Sequence, residues 1–248
     1  MPDSVAPAET TKLSGLKGTL KRAFAKKAPW WVKIARCAAL VVGGYLTLQF
    51  GVMPNLPGRP LTPDETTSLS QIFKGSVDYS RERIHASKGM DYIVNPLSSL
   101  TDTIIYGHTR SSTIIVNTEI YEPNYASKKK FNDLADEVFL HENVHVWQHQ
   151  NAPLAMAWAT MKQGFKRQGG IDGYYTYQLE PGKDLLDYNI EQQAAIITDY
   201  YLKVSKGETT EECGNKETGA ELKALYESTL KNFKQNPSYI KAQAHKLH

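Results

Sequence analysis

The chain has 248 residues, 41% of them hydrophobic and 22% charged, which suits one or two globular domains with a sizeable core and excludes a disordered polymer. Its formal net charge of +3 is unevenly spread: residues 1–36 carry eight Lys/Arg against two acids, so the remainder is net negative. A nucleic-acid-binding body is excluded, because no basic stripe with interleaved aromatics and no zinc-finger spacing occurs. The two cysteines, Cys37 and Cys213, exclude a disulfide framework and a Cys-ligated metal.

Residues 1–29 read as a basic tail. Leu13, Leu16, Leu20 and Phe24 recur at helical spacing, which fits either a solvated tail or a segment lying on an anionic membrane surface. Residues 30–53 read as one N-terminal transmembrane helix that anchors the chain in the lipid bilayer. Cys37 to Met53 carries no charge, Trp30 and Trp31 suit the interface, and Lys33 and Arg36 can snorkel. A cleaved signal peptide and a buried soluble helix are the competing readings. The preceding Lys/Arg excess predicts a cytoplasmic N-terminus with the body on the other side. Residues 54–61 form a Pro/Gly linker, and residues 62–248 form the main domain.

Within that domain Thr62-Pro63-Asp64-Glu65 predicts a helix start with a capping box, followed by a short helix to about Lys74 that turns Leu69, Ile72 and Phe73 inward. Residues 77–85 read as a strand and 92–94 as weakly extended. The runs 103–106 and 112–117 read as a hairpin turning at Gly107–Arg110, so a small antiparallel sheet is expected. A long helix follows from about Lys129 to Gln150, with Leu134, Val138, His141, His145 and Gln148 on one buried stripe. Asn151-Ala152-Pro153 ends it. A helix over 154–168, an extended aromatic segment over 173–179, a strong helix over 189–203 and an amphipathic helix over 216–233 complete the chain before a polar tail. The expected class is α+β.

The long helix carries His141-Glu142-Asn143-Val144-His145. Two histidines four residues apart project from one helix face and can grip one zinc ion, and the intervening glutamate can act as general base on a water. The bland alternative is two core histidines with a surface glutamate, but buried imidazoles need hydrogen-bond partners, and two of them one turn apart are awkward core. A catalytic zinc needs a third protein ligand. His149 continues the spacing but lies about 12 Å along a straight helix from His141, too far to close on one ion. Glu191, on a second helix rich in Ala and Ile, is the better candidate. Its competing reading is an exposed glutamate favoured by the helix dipole.

His141-Glu142-x-x-His145-Val146-Trp147-Gln148, followed by Asp187-Tyr188-Asn189-x-Glu191-Gln192-Gln193-Ala194 and Asp199-Tyr200, resembles a family of bacterial zincin-like, Vgr-related proteins associated with Rhs elements and type VI secretion. Val77-Asp78-Tyr79-Ser80 with Arg83-Ile84-His85 resembles that family's first strand, and the likeness spans about residues 72–202. It implies a zincin-like metallopeptidase fold with the His-Glu-x-x-His motif on a central helix. It also implies a gluzincin-type site holding one Zn2+ per chain: His141, His145 and Glu191 as ligands and Glu142 as base. The chain departs from thermolysin-like gluzincins at Ala195, where those carry an aspartate supporting a zinc ligand. Asp187 or Asp199 could replace it, and Tyr188, Tyr200, Tyr175 and His149 are candidates to stabilise a transition state.

These readings lead to two functions. One is a zinc metallopeptidase in the bacterial inner membrane, single-pass, with a periplasmic domain, acting on a peptide or protein such as peptidoglycan peptides. The other is a catalytically silent envelope binding or assembly module, or a secretion-associated effector with structural zinc, secreted and meeting a secretion-system partner; a secreted toxin whose apolar segment crosses a target membrane is a further alternative.

Overall fold

The computed structural model describes residues 58–88, 106–127, 133–166, 175–210 and 213–247. The expected basic tail, the expected membrane helix over 30–53, the extended 92–94 and most of the expected 103–106 strand lie outside them. Among the described residues no helix is long and apolar enough to cross a membrane.

Helix α1 (Pro63–Phe73) starts where the cap signal falls. The Glu65 amide donates to the Thr62 hydroxyl (3.2 Å), and the Glu65 carboxylate receives the Thr62 amide (2.7 Å). That carboxylate is fully buried, because it also receives the Arg59 guanidinium in a fork (2.8 and 2.7 Å) and the Tyr125 amide (2.9 Å). One residue thus caps a helix and anchors two loops, and a bidentate charge-assisted pair makes its burial tolerable.

The sheet departs from expectation. β1 (Arg83–Ser87), β2 (Gly107–Arg110) and β3 (Thr113–Asn117) lie in the order β1-β3-β2. β1 runs parallel to β3, with Ile84 opposite Ile114, and β2 runs antiparallel to it, with Thr109 opposite Ile114. The sheet is therefore mixed, not antiparallel. Residues 79–81 form a 3-10 turn, so the first strand begins only at Arg83. The Gly107–Arg110 stretch read as a turn is itself a strand, and the chain reverses at Ser111, whose φ of 57° is left-handed. A two-residue reversal needs no glycine if a small polar residue takes that conformation. Thr113, Ile114, Ile115 and Val116 of β3 are all buried, as a strand covered on both faces requires.

Helix α2 (Asp133–Asn151) is the centre of the domain. It packs against β2 and β3 and against a later helix, α4, which spans Ile190–Leu202. Every residue from Glu142 to His149 is buried, so this segment has no solvent face and polar side chains must find partners within the protein. Trp147 sits edge-on to Phe233 and near Phe73, and its indole N–H donates to the Pro237 carbonyl (3.0 Å). The expected stripe is narrower than read: Leu134, in the first turn, is 39% exposed.

Helix α3 (Pro153–Lys166) follows after a single residue, with Pro153 at its start. Beyond α4 come α5 (Gly219–Thr229) and the short α6 (Lys231–Gln235). The C-terminal stretch expected as a polar tail is instead packed in 3-10 turns, burying Pro237, Ile240 and Leu247. Its apolar residues are sparse, but Ile240 and Leu247 join the same buried cluster as Trp147 and Phe233.

Candidate metal centre

α2 and α4 bring three ligand-bearing side chains together. The Nε2 atoms of His141 and His145 lie 3.2 and 3.1 Å from the same Glu191 oxygen, Oε2. The ligand atoms of these three residues all lie within 4.8 Å of one another. The two imidazole rings stand edge to face, 4.9 Å between centroids, so their lone pairs converge from different directions.

The local sequence explains the convergence. On α2 the four-residue spacing puts both histidines on one face. On α4 the Asn189 side chain caps the helix by receiving the Glu191 and Gln192 amides (2.9 Å each), and Gln192 returns to the Asn189 amide. Glu191 therefore stands in the first turn, where the helix dipole favours a carboxylate, yet its side chain is only 19% exposed because it turns toward α2. Gln148 locks the two helices: its Oε1 lies 2.8 Å from His145 Nδ1, and its amide nitrogen donates to the Ile190 carbonyl (3.1 Å) and to Gln193 Oε1 (2.9 Å). With Oε1 as acceptor, His145 keeps a proton on Nδ1, which leaves Nε2 as the nitrogen a metal could take once the proton shared with Glu191 is displaced.

Glu142 is buried beside this cluster. The Thr109 hydroxyl on β2 lies 2.7 Å from Glu142 Oε2 and 2.9 Å from its carbonyl oxygen. The other carboxyl oxygen lies over Gly107, where an added Cβ would come within 2.7 Å of Oε1 and 2.5 Å of Val138 Cγ1. Only a glycine lets β2 approach α2 this closely.

Electrostatics couple the group. Burial raises Glu142, with His145 and His141 pulling in the opposite direction. Burial also works against charging His145, but Glu191 outweighs it and lifts that histidine to about 9. Burial would raise Glu191, yet His145 and His141 hold it well below the usual carboxylate range. Two imidazole nitrogens thus face one ionised carboxylate oxygen. A proton and a divalent cation compete for the same lone pairs, and this N,N,O donor set suits zinc chemically.

The remaining sequence candidates bond elsewhere. Asp187 binds Lys246 (2.8 Å) and closes the Asp184 amide (2.9 Å). Tyr188 receives the Glu180 amide (3.0 Å). Asp199 receives the Tyr177 hydroxyl (2.5 Å) and the Thr210 hydroxyl (2.6 Å), fastening α4 to a neighbouring segment. The Tyr200 hydroxyl donates to Glu227 (3.2 Å) and receives Lys234 (2.8 Å). Tyr175 is placed differently, its ring 5.9 Å from that of His141. His149 is buried, and burial lowers it to about 3 with His145 and His108 adding to the effect, so it stays neutral. The residues that position the site are Gln148, Thr109 and Gly107. Gln148, three residues past His145, was visible in the helical spacing, whereas Thr109 and Gly107 carry no local signal.

Fold and site together define a mixed α/β domain in which two helices bring together three potential metal ligands, His145 buried and His141 and Glu191 half-buried. No family model matches the chain. It is similar to the type VI secretion system spike protein VgrG2b of Pseudomonas aeruginosa, 32% identical over 181 residues, which is 71% of this chain and 15% of that protein. The chain therefore matches only a small part of its curated relative's length. The effector domain of Pseudomonas aeruginosa VgrG2b has a solved structure that superimposes with a TM-score of 0.50 at 26% identity, covering 79% of this chain and 94% of that domain. The chain is thus homologous to VgrG2b, and the likeness falls on that protein's effector domain.

Proposed function

We propose that this chain is a secretion-associated effector domain of zincin-like fold, in which His141, His145 and Glu191 hold one zinc ion and Glu142 serves as general base for hydrolysis of a peptide bond. Homology to VgrG2b supports the secretion association and, with it, the secreted reading over the single-pass membrane enzyme. The observation that carries the metal reading is the convergence of two Nε2 atoms on one carboxylate oxygen beside a buried glutamate.

Zinc bound there would supply Lewis acidity, making a water more acidic and a carbonyl carbon more electrophilic. The protein's own share follows from its residues. Glu142 is desolvated and bonded by Thr109 on one oxygen, so it can take a proton from water through the other and return it to the leaving amine. Gln148 fixes the His145 tautomer. Tyr175, whose ring lies 5.9 Å from that of His141, is the tyrosine to test as a stabiliser of a substrate oxygen. Peptidoglycan peptides and proteins are the substrate classes to test.

A second reading, a silent effector module with structural zinc, draws on the same comparisons, since neither relative's name states a peptidase activity. The two readings separate on one experiment: metal content and peptide turnover of the purified chain and its Glu142→Gln variant. One zinc per chain in both, with turnover only in the parent, supports hydrolysis. Zinc in both with turnover in neither supports the silent module.

A further inference from the structure

Helix α3 has two apolar sides. One faces inward, where Met156 and Ala159 are buried. On the other, Leu154 is 76% exposed and Trp158 is 60% exposed, one helical turn apart. An exposed tryptophan one turn from an exposed leucine makes a contiguous apolar patch of the kind that marks an interaction surface. In the sequence, Met161 and Phe165 continue the same i, i+4, i+7, i+11 spacing. Exposed Lys162 follows Trp158 by four residues, and Lys166 repeats that step. The helix, PLAMAWATMKQGFK, contains no acidic residue, although the chain after residue 36 is net negative.

We propose that the Leu154–Trp158 face of α3 docks on an anionic lipid surface, with these two side chains entering the interface and Lys162 meeting the headgroups. The proposal is independent of the metal centre. An apolar stripe that includes a tryptophan, is flanked by lysines and lacks acids is the composition of a helix lying in a membrane interface. Charge complementarity selects anionic lipid over a second copy of the chain. A two-fold dimer through this face would bring two acid-free, lysine-bearing helices together.

Trp158 itself supplies the readout. The chain has four tryptophans: Trp30, Trp31, Trp147 and Trp158. In the full chain carrying Trp30→Phe and Trp31→Phe, only fully buried Trp147 and exposed Trp158 emit. Mixing this protein with vesicles of phosphatidylcholine and phosphatidylglycerol bearing brominated acyl chains should blue-shift the emission and quench a large part of it. The same chain with Trp158→Phe added should show little quenching, while its Trp147 emission reports that the core is intact. Lys162→Glu should weaken the vesicle response several-fold.

Unquenched Trp158 emission would overturn the proposal. So would equal quenching on vesicles of phosphatidylcholine alone, which would remove the anionic requirement. A blue shift that grows with protein concentration in the absence of lipid would assign the face to a second copy instead.

Discussion

Glu142 and Glu82 are both buried carboxyl groups whose proton affinity is raised by burial, yet they sit in opposite surroundings. Glu142 lies on α2 with a hydroxyl on one oxygen, and His141, His145 and Glu191 of the candidate site act on its charge. Glu82 precedes β1 and has no hydrogen-bond partner for either oxygen. Its neighbour Glu65 already engages the Arg59 fork, so burial followed by repulsion from Glu65 lifts Glu82 to about 8, with Arg59 only partly offsetting it. A strongly shifted acid therefore marks desolvation, not chemistry. What distinguishes the Glu142 region is convergence: lone pairs from two helices aimed at one point.

The sharpest break of this comparison is Glu142→Gln. Turnover of a peptide substrate should drop by about 10²–10⁴-fold, the range of a general base, with metal content unchanged. If the variant keeps its rate, Glu142 is as idle as Glu82. Next in size is Glu191→Ala, which removes the oxygen on which both histidines converge. Metal affinity, read by competition with a chelating dye, should weaken by more than the ~10–100-fold typical of a supporting residue. Unchanged affinity would dissolve the three-ligand site.

Glu82→Gln tests the other half. Between about pH 4.5 and 8 the folded chain holds a proton on Glu82 that the unfolded chain has released, so this group lowers stability as pH rises. The slope is about 1.4 kcal/mol per pH unit, flattening above pH 8 and amounting to roughly 3 kcal/mol at pH 7. Urea unfolding of parent and variant from pH 5 to 8 should show the variant gaining on the parent across that window. A difference independent of pH would mean Glu82 is ionised and paired after all. The smallest effect is expected from Gly107→Ala. The new Cβ would press on Val138 and the Glu142 carboxyl, costing about 1–3 kcal/mol in thermal unfolding. A variant as stable as its parent would show that β2 can retreat from α2.

How much of this was legible beforehand depends on the range of the interaction. The cap at Thr62, the C-terminal end of α2, both ends of α4, and the placement of His141 and His145 on one helix face are local, and spacing alone predicts them. Glu191 was legible as an acid on an apolar helix, though its orientation depends on Asn189 and Gln148 acting together. The parallel pairing of β1 with β3 left no signal, because alternation of residues says nothing about strand direction. The turn at Gly107–Arg110 was misplaced for a related reason: glycine there serves close approach to α2, not chain reversal. Asp187, Asp199, Tyr188 and Tyr200 looked like supporting residues by proximity in sequence to Glu191, but their side chains bond to other neighbours.

The links that build the centre span long stretches of chain: 33 residues from Thr109 to Glu142, 46 from His145 to Glu191 and 50 from His141 to Glu191. Each such link closes a loop whose entropy must be overcome before the contact forms. The donor set therefore exists only where the distant segments are assembled, and an extended chain carries none of it. A metal ion that bound only the assembled helices would act as a latch on the finished fold, deepening the native basin in proportion to the logarithm of its concentration.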